Sequence, residues 1–126
     1  MAHADCIARW ENSKRGGVLE GSGFFVVQAG ASGDVIKGHH EGHNNSPIVG
    51  RCDGNTIRFC MTNETTGEVI CYKGVIRPGT GKLFIIGKFK RPLEDEDPMV
   101  VAESIIIEEG KRVLVAPDDW TAERPT

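Results

Sequence analysis

The sequence predicts an all-β protein, an antiparallel up-and-down β-barrel of about eight strands. The stretch from Ile57 to Phe89 is typical of three antiparallel strands joined by two Gly- and Pro-containing hairpins. Glycine accounts for 16 of the 126 residues and hydrophobic residues for 39%, a composition that fits a curved sheet with many turns better than a helical bundle. Because closure removes both edges of a long meander, a barrel is its simplest form.

The first half of the chain alternates short strands with polar turns. Trp10 is expected to close one end of the core, and a basic polar turn follows at residues 12–17. Asp53-Gly54-Asn55 predicts a hairpin into Ile57 and places Ile48, Gly50 and Cys52 on the core side. Ala4 to Glu11 alternates loosely, and the strands predicted here are Val18 to Gln28, Val35 to Glu41 and Ile48 to Cys52.

The central meander is predicted with a register at each of its hairpins. The first sets Thr62 opposite Val69, and the second sets Ile76 opposite Leu83. Since side chains alternate between the two faces of a strand, each register fixes every orientation, and both registers give the same apolar face. That face carries Ile57, Phe59, Met61, Ile70, Tyr72, Ile76, Leu83, Ile85 and Phe89.

Two cross-strand pairs follow from these registers. Tyr72 is predicted opposite Gly87, an aromatic-over-glycine pairing used in curved sheets. Cys60 is predicted opposite Cys71 on the outer face, as two semi-exposed thiols in a reducing compartment or as an easily reduced disulfide. No two cysteines of the four in the chain have CxxC spacing, which disfavours a zinc site.

The last third of the chain is predicted to be mostly loop and hairpin. The acidic, proline-bounded segment at residues 91–98 is typical of a solvated loop. Met99 to Ile107 and Arg112 to Ala116 are predicted as a final hairpin, and the polar tail from Pro117 to Thr126 as irregular. The length suits one domain that spans residues 1–126.

Charge and hydropathy argue against several partners. The net charge is −3, with both signs intermixed and no basic stripe with interleaved aromatic residues, so nucleic acid is not expected. No apolar run is long enough to span a membrane. The N-terminus lacks an apolar signal region, which predicts a cytoplasmic protein, or a secreted one if a signal peptide has been removed.

The cluster of His39, His40 and His43 with Glu41 allows a metal site or a solvated polar loop. Adjacent residues of a strand face opposite ways, so His39 and His40 cannot readily bind one ion. The polar loop is therefore preferred, and neither a metal nor another cofactor is predicted.

Three short motifs resemble landmarks of avidin and streptavidin, in the same order along the chain. They are Trp10-Glu11-Asn12, Ser46-Pro47-Ile48-Val49-Gly50 and Asp118-Asp119-Trp120. The resemblance implies an eight-stranded, calycin-type barrel with a ligand in its mouth, often in a tetramer. It also implies that Asn12 is a polar biotin contact and Trp120 a tryptophan lent across a subunit interface, and it places His40 near a tyrosine of that family.

Taken together, these features favour a protein that binds a small, largely apolar molecule inside the barrel. The inward face of the meander is apolar apart from the Tyr72 hydroxyl, which favours binding over a barrel enzyme of isomerase or cyclase type that shapes its substrate. A protease inhibitor or other interaction protein, and a barrel filled by its own side chains, are the alternatives. The predicted ligand contacts are Trp10, Asn12, His40, Tyr72 and Trp120.

Outward-facing apolar residues predict a homo-oligomer, with a dimer preferred. Val75, Phe84 and Ile86 fall on the outer face of the meander, and Ile106 or its neighbours face outward as well. A contiguous apolar patch commonly marks an interface. The alternative is that the terminal tail covers this surface.

Overall fold

Eight antiparallel strands close into a barrel in the computed structural model, which describes residues 6–15, 18–19, 22–30, 34–41, 45–107 and 118–125. For residues 12–15, 18 and 19 the description covers the backbone. The elements are β1 (Arg9–Arg15), β2 (Val18–Leu19), β3 (Gly23–Gln28), β4 (Val35–His40), β5 (Ser46–Asp53), β6 (Thr56–Thr62), β7 (Val69–Gly79), β8 (Lys82–Lys90), α1 (Pro98–Ser104) and β9 (Asp119–Pro125).

The strand order confirms the predicted up-and-down barrel. From β3 to β9 each strand pairs with the next, β1 pairs with β3, and β1 also pairs with β9, which closes the sheet. The two-residue strand β2 pairs with the end of β1. In the described part of the chain, no helix has the length and apolar character needed to cross a membrane.

The turn between β5 and β6 and the register between β6 and β7 are as predicted. Gly54 has φ +60°, the left-handed conformation that a two-residue hairpin turn requires, and Asp53 pairs with Thr56. Across the next hairpin, Thr62 pairs with Val69. Because both turns set the expected register, the inward positions of β5 and β6 are also as expected.

The predicted register between β7 and β8 is wrong by two residues. Ile76 pairs with Ile85 rather than Leu83, so Tyr72 lies opposite Phe89 rather than Gly87. The strand continues through Pro78 and Gly79, and the chain reverses at residues 80–81, where Gly81 has φ +70°. A shift of two residues preserves the side-chain alternation, so the inner and outer faces are those predicted.

All nine residues of the predicted apolar face of the meander belong to the barrel core or pack against it. Phe59 and Ile85 are fully buried, and Leu83 and Phe89 are partly buried at its margin. From the other strands and the N-terminal segment, the core adds Cys6, Trp10, Phe24, Val26, Ile36, Ile48, Cys52, Trp120 and Ala122.

Two predictions for the C-terminal third are wrong. The segment from Met99, expected as a strand, begins in a helix, because the Asp97 side chain accepts a hydrogen bond from Met99 N and Pro98 occupies the first turn. The expected irregular tail contains β9, which pairs with both β8 and β1. The strand predicted at residues 112–116 lies outside the described residues.

The N-terminal boundaries also differ from those expected. The predicted turn at residues 12–17 overlaps β1, which extends to Arg15. The single strand predicted from Val18 to Gln28 is divided into β2 and β3. β1 begins and ends later than the stretch from Ala4 to Glu11 that the sequence pattern indicated, and its backbone pairs with both β3 and β9.

Candidate functional site

Three of the predicted ligand contacts meet around Phe24, on β3. The Phe24 ring lies 6.4 Å from that of Trp10, 6.2 Å from that of His40 and 6.2 Å from that of Trp120, measured between centroids. Phe24 itself was not predicted as a site residue. Its position as the cross-strand partner of both Trp10 and His40 becomes visible only when β3 is placed between β1 and β4.

Tyr72 joins the same aromatic cluster from β7. Its ring stacks on Phe59 at 4.9 Å and meets Trp120 edge-on at 5.3 Å. Phe59 in turn lies 5.4 Å from Phe24. Four of the five predicted contacts therefore belong to one continuous group of rings inside the barrel, at separations typical of favourable aromatic pairs.

Trp10 is held by the segment that precedes β1. Its indole Nε1 donates a hydrogen bond to the carbonyl oxygen of Cys6 at 3.1 Å, and Cys6 forms a disulfide with Cys52 on β5. The Arg124 guanidinium lies 5.8 Å from the centre of the Trp10 ring. The sequence placed Cys52 on the core side but did not identify its partner, since spacing alone does not determine a disulfide pairing.

This disulfide bears on the predicted compartment. Disulfides persist mainly in oxidising environments. The bond between Cys6 and Cys52 is typical of an oxidising compartment and the free thiols of Cys60 and Cys71 of a reducing one, so the cytoplasmic location stays a prediction from the sequence.

Trp120 fits against two glycines of the neighbouring strands. A Cβ added at Gly74 would lie 3.1 Å from Cζ2 of Trp120, and one added at Gly87 would lie 2.5 Å from its Nε1. Through this gap Nε1 donates to the carbonyl oxygens of Lys88 at 3.0 Å and Lys73 at 3.2 Å. Trp120 thus lies inside the barrel of its own chain, whereas the resemblance implied a tryptophan lent to another subunit. Its Nε1 is bonded to the backbone.

His40 and Ser46 place polar groups in the interior at one end of the barrel. They are cross-strand partners on β4 and β5, and only 1% and 2% of their surfaces are exposed. His39 faces the other way, with its ring 4.9 Å from that of Phe25, as the alternation predicted. His43 lies outside the described residues.

Asn12, the fifth predicted contact, lies on β1 opposite Ala122 of β9. Its side chain is outside the described part of the chain. Within that part, no group of three or more His, Cys, Asp or Glu side chains is arranged to hold a metal ion.

Glu41, the charged residue next to His40, directs its carboxylate to the barrel exterior. Glu41 accepts two hydrogen bonds from the Arg9 guanidinium, at 3.0 and 2.9 Å, and Glu11 pairs with the same guanidinium. The hydrogen bonding from Arg9 is the main cause that lowers the pKa of Glu41. The carboxylate is thereby committed to Arg9 across β3.

A second apolar cluster lies on the outer face, where α1 covers β6 and β7. It contains Cys60, Cys71, Val101, Ala102 and Ile105, and we call it the outer cluster. The two cysteines are cross-strand partners as predicted, and both are free thiols, with the sulfur atoms 3.2 Å apart. The prediction that they are semi-exposed is wrong, since the helix leaves 8% of Cys60 and none of Cys71 exposed.

The two thiols differ in acidity because of their contact. The hydrogen bond that Cys60 donates to Cys71 lowers the pKa of Cys71. The same bond, together with burial, raises the pKa of Cys60. Cys71 is therefore the sulfur of the pair that more readily becomes a thiolate.

Two surface cavities lie apart from the aromatic cluster. One of about 460 Å³ lies between β8 and the end of α1 and is lined in part by Phe89, Lys90 and Ile105. Another of about 280 Å³ lies beside the β7–β8 turn, lined in part by Thr80 and Arg124. None of the four predicted ligand contacts whose side chains are described lines either of these two cavities.

The residues that predicted an oligomer differ in exposure. Phe84 and Ile86 are half-buried, Ile106 is 76% exposed, and Val75 is already buried within the chain. A homo-oligomer, with a dimer preferred, stays a prediction. Light scattering at high protein concentration checks it, and a monomer there would contradict it.

Comparisons of the chain with protein-family models, with curated proteins and with solved structures found no match. The resemblance to avidin and streptavidin therefore depends on the three short motifs.

Proposed function

We propose that the protein binds a small, largely apolar molecule at the end of the barrel where β4 ends and β5 begins. The observation that carries this proposal is the pair of buried polar side chains, His40 and Ser46, in an interior whose core residues in the described part of the chain are apolar apart from the Tyr72 hydroxyl. Small-molecule sites commonly combine apolar walls with a few polar groups that fix the orientation of the ligand.

The placement of these polar groups supports a ligand site. Burying an imidazole or a hydroxyl costs free energy compared with an apolar side chain. Among the described residues, Asp119 is the other buried polar one, and its carboxylate binds Lys88 at 2.8 Å. The side chains of His40 and Ser46 are buried at neighbouring positions, and Phe24 is the cross-strand partner of His40 on the other side.

The surrounding rings suggest the kind of ligand. The Phe24 and His40 rings are nearly parallel, with 13° between their planes, and Phe24 leads to Phe59 and Trp120. Because the indole N–H groups of Trp10 and Trp120 bond to backbone carbonyls, these residues offer only ring surface. We therefore propose a ligand with a flat apolar body and a single hydrogen-bonding group that faces His40 and Ser46.

A more specific form of this proposal is that the ligand site resembles that of avidin and streptavidin. The closed up-and-down order of the strands agrees with what the three motifs imply, and it supports a calycin-type site in the barrel mouth. Biotin is accordingly one member of the ligand panel to be tested, with Asn12 as its expected polar contact.

Ligand binding is tested with a matched pair of histidine variants. Native mass spectrometry of the purified chain and thermal-shift screening with a metabolite panel identify a ligand, whose Kd is then measured. His40→Gln and Ser46→Ala should each weaken binding about tenfold, the value of one lost hydrogen bond of roughly 1.4 kcal/mol. His39→Gln, on the opposite face, should leave Kd within about twofold of the original.

Two outcomes would contradict the proposal. One is a panel in which no compound binds while native mass spectrometry shows the bare chain. The other is a ligand whose affinity is unchanged in both the His40 and Ser46 variants, which would place its site elsewhere.

A further inference from the structure

Three sulfur atoms from three elements converge at the edge of the outer cluster. The Sγ atoms of Cys60 and Cys71 are 3.2 Å apart, and the Sδ of Met99 lies 3.7 Å from the Sγ of Cys60. The two cysteines come from β6 and β7, and Met99 from the first turn of α1. The thiol of Cys71 also donates a hydrogen bond to the carbonyl oxygen of Pro98 at 3.2 Å, which fixes the start of α1 above the pair.

Backbone pairing explains why the two thiols are so close. Asn63 N donates to Glu68 O, and Ile76 N donates to Asn55 O, so these two pairs are hydrogen-bonded pairs of the ladder. Hydrogen-bonded and non-hydrogen-bonded pairs alternate along antiparallel strands, which makes Cys60 and Cys71 a non-hydrogen-bonded pair. Side chains approach most closely at such positions.

We propose that Cys60, Cys71 and Met99 form a binding site for one Cu(I) ion. Thiolate and thioether sulfurs are the soft ligands that select Cu(I) in proteins. A structural zinc site takes four ligands from Cys, His and carboxylates, and three sulfurs that include a thioether do not make that set. The site is distinct from the barrel interior and does not depend on the proposed small-molecule ligand.

Binding exchanges protons for the metal. Two S–H bonds break, two Cu–S bonds form to Cys60 and Cys71, and both protons pass to solvent. Met99 adds a neutral sulfur donor, and no electron is transferred, because copper enters and remains as Cu(I). The site changes from neutral to a net charge of −1.

Charged groups of both signs lie near the pair, with the carboxylates of Glu96 and Asp97 at the start of α1 and two cations on the sheet. Arg58 lies two residues before Cys60, and Lys73 two residues after Cys71, so both are on the same outer face as the thiols. They are cross-strand partners of each other. Lys73 also donates to the carbonyl oxygen of Glu103 at 3.0 Å, and Arg58 lies 3.8 Å from the carboxylate of Glu103, which holds both cations close to the end of α1.

The site is accessible from one side. Cys60 retains slight exposure, and Met99 is half-buried at the margin of the helix. A small monovalent ion can therefore reach the pair by displacement of the flexible Met99 side chain, whose thioether then becomes its third ligand.

The first test measures stoichiometry on the full chain with its Cys6–Cys52 disulfide intact. Cu(I) is supplied anaerobically as its acetonitrile complex, and affinity is measured by competition with a chromogenic Cu(I) chelator. We expect one ion per chain in the original protein and none retained by Cys60→Ser/Cys71→Ser. Equal binding by that double variant would overturn the proposal, as would a free-thiol assay showing that the purified chain already has Cys60 bonded to Cys71.

The second test isolates the thioether and does not depend on whether the cysteine variants fold. Met99→Leu should weaken Cu(I) binding by at least the roughly 10- to 100-fold that loss of even an outer-shell partner costs a metal site. Met61→Leu is the matched control, because Met61 is buried inside the barrel and should leave affinity within about twofold. X-ray absorption should count three sulfur ligands in the original protein and two in Met99→Leu. An unchanged affinity in Met99→Leu, or two sulfurs in both proteins, would overturn the three-sulfur site.

Discussion

The barrel interior and the outer cluster are two apolar cores of different construction. The interior receives side chains from β1 and from each strand between β3 and β9, and large rings such as Phe24, Phe59 and Trp120 connect opposite walls. The outer cluster consists of two cysteines of the sheet and aliphatic side chains of the seven-residue helix α1 and of Ile105, which follows it. Since one segment covers it in the part of the chain that the structure describes, the outer cluster can open without disruption of the barrel.

The two regions also differ in how their polar atoms are used. In the interior, the indole N–H groups of Trp10 and Trp120 bond to backbone carbonyls, which fixes the rings. In the outer cluster, the polar atoms are thiols that can exchange a proton for a metal. The comparison indicates that packing in the interior determines the fold. The proposed metal binding on the outer face depends on the position of α1, which supplies Met99.

The largest effect is expected from truncation of Trp120, on the strand β9 that closes the barrel. Trp120→Ala removes contacts with Phe24, Phe59 and Tyr72 and should lower the free energy of unfolding by about 3–5 kcal/mol. Urea denaturation measures this change. Trp120→Phe keeps a ring but removes both hydrogen bonds to Lys73 and Lys88, and should cost less. A cost below about 1 kcal/mol for Trp120→Ala would mean that the barrel closes without this ring.

A smaller effect is expected under α1, where two adjacent valines form a matched pair. Val101 is 3% exposed and Val100 is 63% exposed. Val101→Ala removes two buried carbons and should cost about 1.5–2.5 kcal/mol, whereas Val100→Ala should stay within about 0.5 kcal/mol.

Hydrogen exchange of the same two variants sharpens the comparison. In Val101→Ala, protection should fall in α1 while the amides of β5 and β6 retain theirs, because only the outer cluster is weakened. Equal loss of protection in both regions would show that the two cores unfold together.

The helix cap offers a second way to loosen the outer cluster alone. The Asp97 side chain accepts a hydrogen bond from Met99 N at 3.0 Å, so Asp97→Ala should cost about 1 kcal/mol of unfolding free energy. Asp95→Ala, an exposed acid two residues earlier, is the control with no capping role. Thermal unfolding followed by circular dichroism compares the two, and equal melting temperatures would argue against the cap.

The smallest effect on stability is expected from a change of pH that removes the charge of Lys88, where β8 pairs with β9. Hydrogen bonds to Asp119 and Asp118 raise the pKa of Lys88 above its value of 10.5 in the unfolded chain. The stability that this pair contributes is therefore present below about pH 10.5 and is lost as the pH rises through the raised folded-state pKa.

A series of unfolding curves from neutral to alkaline pH measures this loss. The difference in unfolding free energy between the original protein and Lys88→Met should shrink at the alkaline end by about 0.5 kcal/mol, as for a partly exposed ion pair. Lys90→Met serves as the control for loss of a lysine charge. A difference that stays constant to the highest pH would contradict the assigned shift.

Much of the barrel followed from local pattern. The Asp-Gly turn set the β5–β6 register, and alternation along β6 identified Ile57, Phe59 and Met61 as core residues. The error at β7–β8 left these faces intact, because a shift of two residues preserves the alternation. Pattern reasoning was therefore more reliable for faces than for exact partners.

The candidate site was predicted in composition but not in arrangement. Trp10, His40, Tyr72 and Trp120 were each named from the sequence, yet Phe24, which contacts three of them, was not. Nothing local marks Phe24, since its partners lie on strands that meet only after the sheet closes. The same holds for the disulfide between Cys6 and Cys52, whose members are 46 residues apart.

The sequence by itself determined which residues alternate, where tight turns form and therefore which side chains face inward, because these depend on backbone geometry over a few neighbours. The tertiary structure alone decided the rest. It placed β9 between β8 and β1, packed Trp120 against Gly74 and Gly87, and brought Met99 to the Cys60–Cys71 pair. Such contacts join residues far apart in the chain, and their free energy is gained only when the closed sheet brings them together.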